Sequence, residues 1–189
     1  MGKNFSTNRK RGLRNKSDFY QTPYSITKQL LDNEIFVGKI LEPAKGDGAI
    51  VKILEEYNYN VIGSDKEFDF FKYIGFFDNI ITNPPFSLAN EFIDFAKKIY
   101  LDKIAMLLPL SYLHGQKRYN LNIFNELKNI YVFTRYPLLI DKIRDDGKYN
   151  TGMMVYAWYV WKKGNKNPPI IKWLDNNEYV LTKYDKDNK

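Results

Sequence analysis

Residues 78–86 restrict the fold of this chain more than any other stretch. Asp78-Asn79-Ile80-Ile81-Thr82 is largely apolar or β-branched and runs straight into Asn83-Pro84-Pro85-Phe86. Neither proline has an N–H to give a ladder, and both hold φ near about −65°. Each also disfavours the α region in the residue before it. A buried strand therefore stops at Thr82, and Ser87 caps a new amphipathic helix with Leu88, Phe92, Phe95, Ala96 and Ile99 on its buried face. At the strand's C-terminal edge this leaves the Asn83 amide and the carbonyls of Asn83 and Pro84 beside the ring of Phe86. Open α/β sheets bind their ligands at that edge.

Two acceptors beside an aromatic face suit a planar substrate carrying an NH2 group. The amino nitrogen of adenine is a poor nucleophile because its lone pair is delocalised into the ring. If Asn83 Oδ1 and the Pro84 carbonyl each accept one N–H, the nitrogen is drawn towards a tetrahedral shape and its lone pair is aimed at an electrophile. Phe86 stacks on the base and holds it. This is catalysis by positioning and oriented dipoles, with no strong base. A plain loop after a strand fits the tetrapeptide equally well, since proline-rich turns are common punctuation. What precedes it decides between the two.

Lys39-Ile40-Leu41-Glu42 reads as a strand that ends at Glu42-Pro43, followed by Ala44-Lys45-Gly46-Asp47-Gly48 and a helix with Ile50, Val51, Ile53, Leu54 and Tyr57 inward. Gly46 and Gly48 let the backbone pass close to a ligand at a helix N-terminus. A dinucleotide fingerprint needs a third glycine at position 51, where this chain has Val51. That favours a nucleoside without phosphates over a pyrophosphate-bearing cofactor. The next strand, residues 60–65, ends in Asp65, 19 positions after Gly46; a carboxylate that accepts both ribose hydroxyls usually stands about 20 away. Asp69-Phe70 follows, with Asp69 either accepting from a cofactor's adenine amine or capping a helix.

Upstream, Thr22 and Pro23 suit an N-cap and first helical residue, with Ile26, Leu30 and Leu31 on one face of a helix ending near Asn33. Tyr20 and Gln21 sit just outside that N-terminus, facing a ligand or simply packing. Downstream, residues 103–109 read as a fully buried strand. A helical stretch with Leu121, Phe124 and Leu127, a strand at 130–134 and a long strand at 152–161 complete the alternation of a doubly wound α/β sheet. Asn167-Pro168-Pro169-Ile170 repeats the Asn-Pro-Pro text without an aromatic fourth residue, and is expected as a decoy in an extended, polar tail.

The chain has 189 residues, 44% of them hydrophobic and 16% aromatic, enough for one domain with a real core. No apolar run approaches the ~20 residues of a membrane helix and no signal peptide is apparent, so a cytoplasmic protein with no membrane partner is the expectation. The absence of cysteine removes disulfides, thiolate metal sites and the thiolate-adduct route to pyrimidine C5 methylation. His114, the one histidine, reads as a surface or turn residue, and no metal is expected. The net charge is +7, but residues 1–17 hold six of the 29 basic residues and no acid, which leaves 23 basic against 22 acidic residues elsewhere. The excess therefore sits in a basic arm, suited to gripping phosphates or merely to solubility. The polar insert at 137–151 is the internal segment placed to touch a polymer, or else a solvated hairpin loop.

The ordered set Tyr20-Gln21-Thr22-Pro23, Glu42-Pro43-Ala44-x-Gly46-x-Gly48, Asp65, Asp69-Phe70 and Asn83-Pro84-Pro85-Phe86 resembles the S-adenosylmethionine-dependent DNA adenine-N6 methyltransferases, especially the small phage-type members. The closing Val155–Lys162 run looks like their antiparallel last strand. The resemblance implies a single Rossmann-like class I methyltransferase domain over residues 18–164, between the arm at 1–17 and an extension at 165–189. It implies that Tyr20, Gln21, Thr22, Pro23, Glu42, Pro43, Ala44, Gly46, Gly48, Asp65, Asp69 and Phe70 bind S-adenosylmethionine. Asn83, Pro84, Pro85 and Phe86 would hold a flipped adenine, with DNA gripped by the arm and the insert. The large target-recognition domain of restriction-associated enzymes is not expected within these 189 residues, so sequence specificity would be short, loose or supplied by a partner. The same site logic fits an RNA adenine methyltransferase, a protein glutamine N-methyltransferase, a cytosine-N4 enzyme, or a non-catalytic nucleic-acid binder on a relic cofactor fold.

Overall fold

A computed structural model of the protein describes residues 22–65, 69–134 and 154–175. The basic arm, Tyr20, Gln21 and the 137–151 insert lie outside the described residues. The helices are α1 (Tyr24–Asn33), α2 (Ala49–Glu56), α3 (Ala89–Ile99) and α4 (Gln116–Asn120). The strands are β1 (Lys39–Glu42), β2 (Asn60–Gly63), β3 (Phe77–Thr82), β4 (Tyr100–Pro109), β5 (Leu127–Phe133), β6 (Tyr156–Lys162) and β7 (Ile170–Leu174). They form one seven-stranded sheet in the order β2-β1-β3-β4-β6-β5-β7. Its pairings are parallel except at β6, which runs antiparallel between β4 and β5. This is the doubly wound, mostly parallel sheet that the alternation of elements predicts.

The period of two along the central strands sorts side chains onto two faces. On one face Ile104, Met106 and Leu108 of β4 and Tyr159 and Trp161 of β6 pack with Phe92, Ile93, Ala96 and Ile99 of α3. On the other, Ala105, Leu107, Trp158 and Val160 pack with Ile26 and Leu30 of α1 and Ile50, Ile53 and Leu54 of α2. Each buried indole finds an acceptor: Trp158 Nε1 donates to the Ile26 carbonyl at 2.9 Å and Trp161 Nε1 to the Ile123 carbonyl at 2.7 Å. Both faces are covered, so the strands read as continuous apolar runs rather than alternating ones.

A buried polar knot ties the amino ends of the strands together. Lys103 Nζ donates to Glu34 Oε2 at 2.7 Å and to the Ile35 carbonyl at 2.8 Å, while Tyr131 Oη donates to Glu34 Oε1 at 2.7 Å. Asn129 Nδ2 also donates to Glu34 Oε1. Burial alone would raise the Glu34 carboxyl, but hydrogen bonds from Lys103, Tyr131 and Asn129 outweigh it and hold the group below its ordinary value.

Four local expectations are corrected. The start of α1 shifts by one residue: Pro23, not Thr22, is the cap, its carbonyl accepting from Ile26 N–H at 3.1 Å. Ser87 does not cap α3; it lies inside a 3-10 turn at Phe86–Leu88 that precedes the helix, leaving Leu88 exposed and Ala89 and Ile93 inward. The helix around Leu121 shrinks to α4, because Asn122 (φ 52°) and Glu126 (φ 65°) take left-handed backbone and turn the chain into β5, which Leu127 opens. The tail beyond residue 164 contributes β7, paired parallel to β5 from Asn129↔Ile170 to Phe133↔Leu174. A short strand with Ile170, Ile171 and Trp173 exposed belongs at a sheet edge, which is where β7 lies. Among the described residues, no helix is long and apolar enough to cross a membrane.

Candidate active site

From β1 the chain crosses to β2 on one side and resumes as β3 on the other, so strand order reverses between β1 and β3. The crevice beyond the carboxyl ends of strands at such a switch point is where doubly wound sheets hold ligands. Glu42 ends β1, Asp65 follows β2, Thr82 ends β3 and Asn83 follows it. Topology thus gathers residues from three separated motifs into one corner.

Backbone bonds brace that corner. Ser64 N–H donates to the Glu42 carbonyl at 2.8 Å and Lys45 N–H to the Ser64 carbonyl at 2.9 Å, fastening the ends of β1 and β2. Gly46 (φ 53°) and Gly48 (φ 85°) turn the chain into α2, with Gly48 as its N-cap. A side chain at Gly48 would meet nothing within 4 Å, so the turn is open on that side. Val51, which replaces the third fingerprint glycine, is accommodated from the strand: a Cβ at Gly63 would lie 2.7 Å from Val51 Cγ2. The close helix–strand approach is therefore kept, with the glycine moved from α2 to β2. Position 51 reports on packing rather than on the ligand.

Glu42 is fully buried, at 0% exposure. Its Oε1 accepts from Ala44 N–H at 2.9 Å and from Thr82 Oγ1 at 2.6 Å. Its Oε2 is buried and has no hydrogen-bond partner among the described residues. Burial pushes the carboxyl up to about 8, and the nearby Asp65 charge pushes the same way, against the hydrogen bonds from Thr82 and Ala44. Burial accordingly favours the neutral form of Glu42.

The Asn-Pro-Pro-Phe turn closes the other side. Pro84 is buried, and Asn83, Pro85 and Phe86 are half-buried. Asn83 Nδ2 donates to Thr22 Oγ1 at 3.0 Å, so the start of α1 holds the amide. The Phe86 carbonyl accepts from Tyr112 Oη at 3.0 Å, and its ring lies 5.8 Å from that of Tyr156 at 31°. An aromatic wall thus stands beside Asn83.

The structure brings together Thr22, Pro23, Glu42, Pro43, Ala44, Gly46, Gly48, Asp65 and Asn83 to Phe86. It does not bring Phe70 to them: that ring is buried in the core, stacked on Phe92 at 4.9 Å. Asp69 is engaged locally, accepting from Phe71 N–H at 3.2 Å and pairing with Lys72 at 2.9 Å, as in the capping alternative. Sequence reasoning missed Thr82, Tyr112 and Tyr156. Thr82 had one signal, its place directly before Asn83; the two tyrosines are far off in sequence and had none. His114 is exposed after a 3-10 turn, and among the described residues no group of three His, Asp or Glu side chains is placed to hold a metal.

No family model matches the chain, and no curated protein matches it. Solved structures do resemble it. A proposed class I S-adenosylmethionine-dependent methyltransferase from Listeria monocytogenes superposes with a TM-score of 0.60 at 12% identity, over 94% of this chain and 74% of that one. The modification subunit of a proposed type I restriction enzyme from Vibrio vulnificus gives 0.57 at 13%, over 85% of this chain and 48% of that one. A proposed RNA methyltransferase from Pyrococcus horikoshii gives 0.50 at 14%, over 80% and 90%. The chain has the α/β fold of these class I methyltransferase structures, with a seven-stranded, mostly parallel sheet and one antiparallel strand.

Proposed function

We propose that this protein transfers the methyl group of S-adenosylmethionine to the exocyclic N6 amine of adenine in DNA, with the base turned out of the stack. The observation that carries this is the 2.6 Å hydrogen bond from Thr82 Oγ1 to Glu42 Oε1. It joins the residue before Asn83 to the acid that opens the glycine turn, so cofactor and base corners are one site. The residues present fit the cofactor. Glu42 keeps an unpartnered buried oxygen, the turn at Gly48 has open space, and Asp65 stands at the next strand end to accept from ribose hydroxyls. Bound there, S-adenosylmethionine supplies an electrophilic methyl on a sulfonium.

The protein's part is positional. Asn83 Oδ1 and the Pro84 carbonyl accept the two amine hydrogens, and Phe86 stacks on the ring. Held in this way, the amine lone pair would be aimed at the methyl that the bound cofactor would supply, and the amine proton would be lost to water afterwards. No group strong enough to ionise the amine is required. The basic arm and the 137–151 insert grip the polymer's phosphates. The likeness to the Vibrio modification subunit supports DNA as polymer. The Pyrococcus structure supports RNA as the second possibility, which competition between the two polymers decides.

Incubating DNA with labelled cofactor and analysing the nucleosides should give N6-methyladenine; its absence on every DNA tested refutes the assignment. N4-methylcytosine or methylated protein glutamine would redirect it. Asn83→Ala should lower kcat by at least about 100-fold, the usual cost of an oriented dipole at the reacting centre, while cofactor affinity in calorimetry changes little. Wild-type turnover in that variant would remove Asn83 from the mechanism.

A further inference from the structure

Glu42 has a property that cofactor binding alone does not demand. Its two oxygens are unequal: Oε1 receives two hydrogens, from Ala44 N–H and Thr82 Oγ1, while Oε2 is buried without a partner. A proton on the neutral acid therefore resides on Oε2, the oxygen that receives no hydrogen. Among the described residues, the groups shown around it do not compensate an anion. The Asp65 charge, just beyond β2, opposes one; Lys45 and Asp47 of the turn are exposed; β3 contributes the Thr82 hydroxyl. A buried carboxylate facing a second acid is unfavourable until a cation arrives.

We propose that Glu42 is a proton-linked cation anchor: it is neutral in the free protein, and it ionises and releases the Oε2 proton to solvent when positively charged S-adenosylmethionine enters. This rests on the cofactor assignment above. The Oε2–H bond breaks, the proton passes to buffer, and the resulting carboxylate faces the cationic cofactor. The charge entering the cleft is thereby neutralised, and the same carboxylate becomes a stronger acceptor for Thr82, which immediately precedes Asn83. Cofactor arrival consequently tightens the link to the catalytic turn. Affinity should rise with pH, by up to about tenfold per pH unit between roughly pH 6 and 8, because the free form binds one proton more than the bound form.

The test is isothermal titration of the full chain with S-adenosylmethionine at pH 7 in phosphate and in Tris, whose ionisation enthalpies differ. With Glu42 titrating at about 8 in the free protein, the larger part of one proton should be released per cofactor bound. Glu42→Gln, isosteric with the neutral acid, should bind more weakly and with no buffer dependence. Binding by the wild type with no proton release overturns the anchor and leaves the cofactor assignment standing. Release that persists in Glu42→Gln assigns the proton elsewhere and also overturns the anchor. Failure of the wild type to bind in either buffer overturns the cofactor assignment itself.

Discussion

Glu42→Gln is also the sharpest probe of the free protein. In the unfolded chain this carboxyl loses its proton near its ordinary value of 4.5; in the folded protein it keeps it up to about 8. Between those values the unfolded state binds one proton fewer, so stability falls as pH rises, by about 1.4 kcal/mol per pH unit. The contribution is fully present below pH 4.5 and is lost as pH climbs through 8. Glutamine offers Ala44 and Thr82 the same carbonyl oxygen and never ionises. Without cofactor, the stability gap between wild type and Glu42→Gln should therefore shift in favour of the variant by about 2–3 kcal/mol between pH 5.5 and 7.5. For a chain of this size that is a relative change of roughly 5–10 °C in Tm. Urea unfolding of both proteins at three pH values measures it, and other titrating groups cancel in the difference. A gap that stays constant with pH, or moves the other way, would refute the neutral, buried acid and with it the proton-linked anchor.

Gly63→Ala places a methyl 2.7 Å from Val51 Cγ2 and should cost about 1–3 kcal/mol; adding Val51→Ala should recover much of it, as denaturant curves of the single and double variants will show. Lys103→Met leaves Glu34 buried without its cation and should cost about 3–5 kcal/mol. Because the Glu34 carboxyl is held low, its contribution is present above the ordinary carboxylate range and lost as pH falls through its folded value. The penalty of Lys103→Met should accordingly shrink in acid, which the same curves at low pH detect.

Local chemistry alone determined a good deal of this protein. The strand endings at Glu42 and Thr82 were legible because proline removes ladder donors one or two positions on, and the turn before α2 because two glycines within three residues permit left-handed backbone. The α/β class followed from apolar runs of strand length alternating with helical periodicity. Details that depend on competition between neighbours were not legible. The cap of α1 moved to Pro23 while the Thr22 hydroxyl went to Asn83, a partner 61 positions away. Phe70 chose the core over the cleft because an aromatic ring gains more from burial against Phe92 and Phe95 than from a crevice rim. The segment Ile170–Leu174 looked like a tail because nothing local shows that β5 has an edge left to pair. Above all, tertiary structure decided the state of Glu42. Sequence places an acid at the end of a strand, but only the packing of β1 between β2 and β3 strips it of water, gives one oxygen two donors and the other none, and so favours its neutral form.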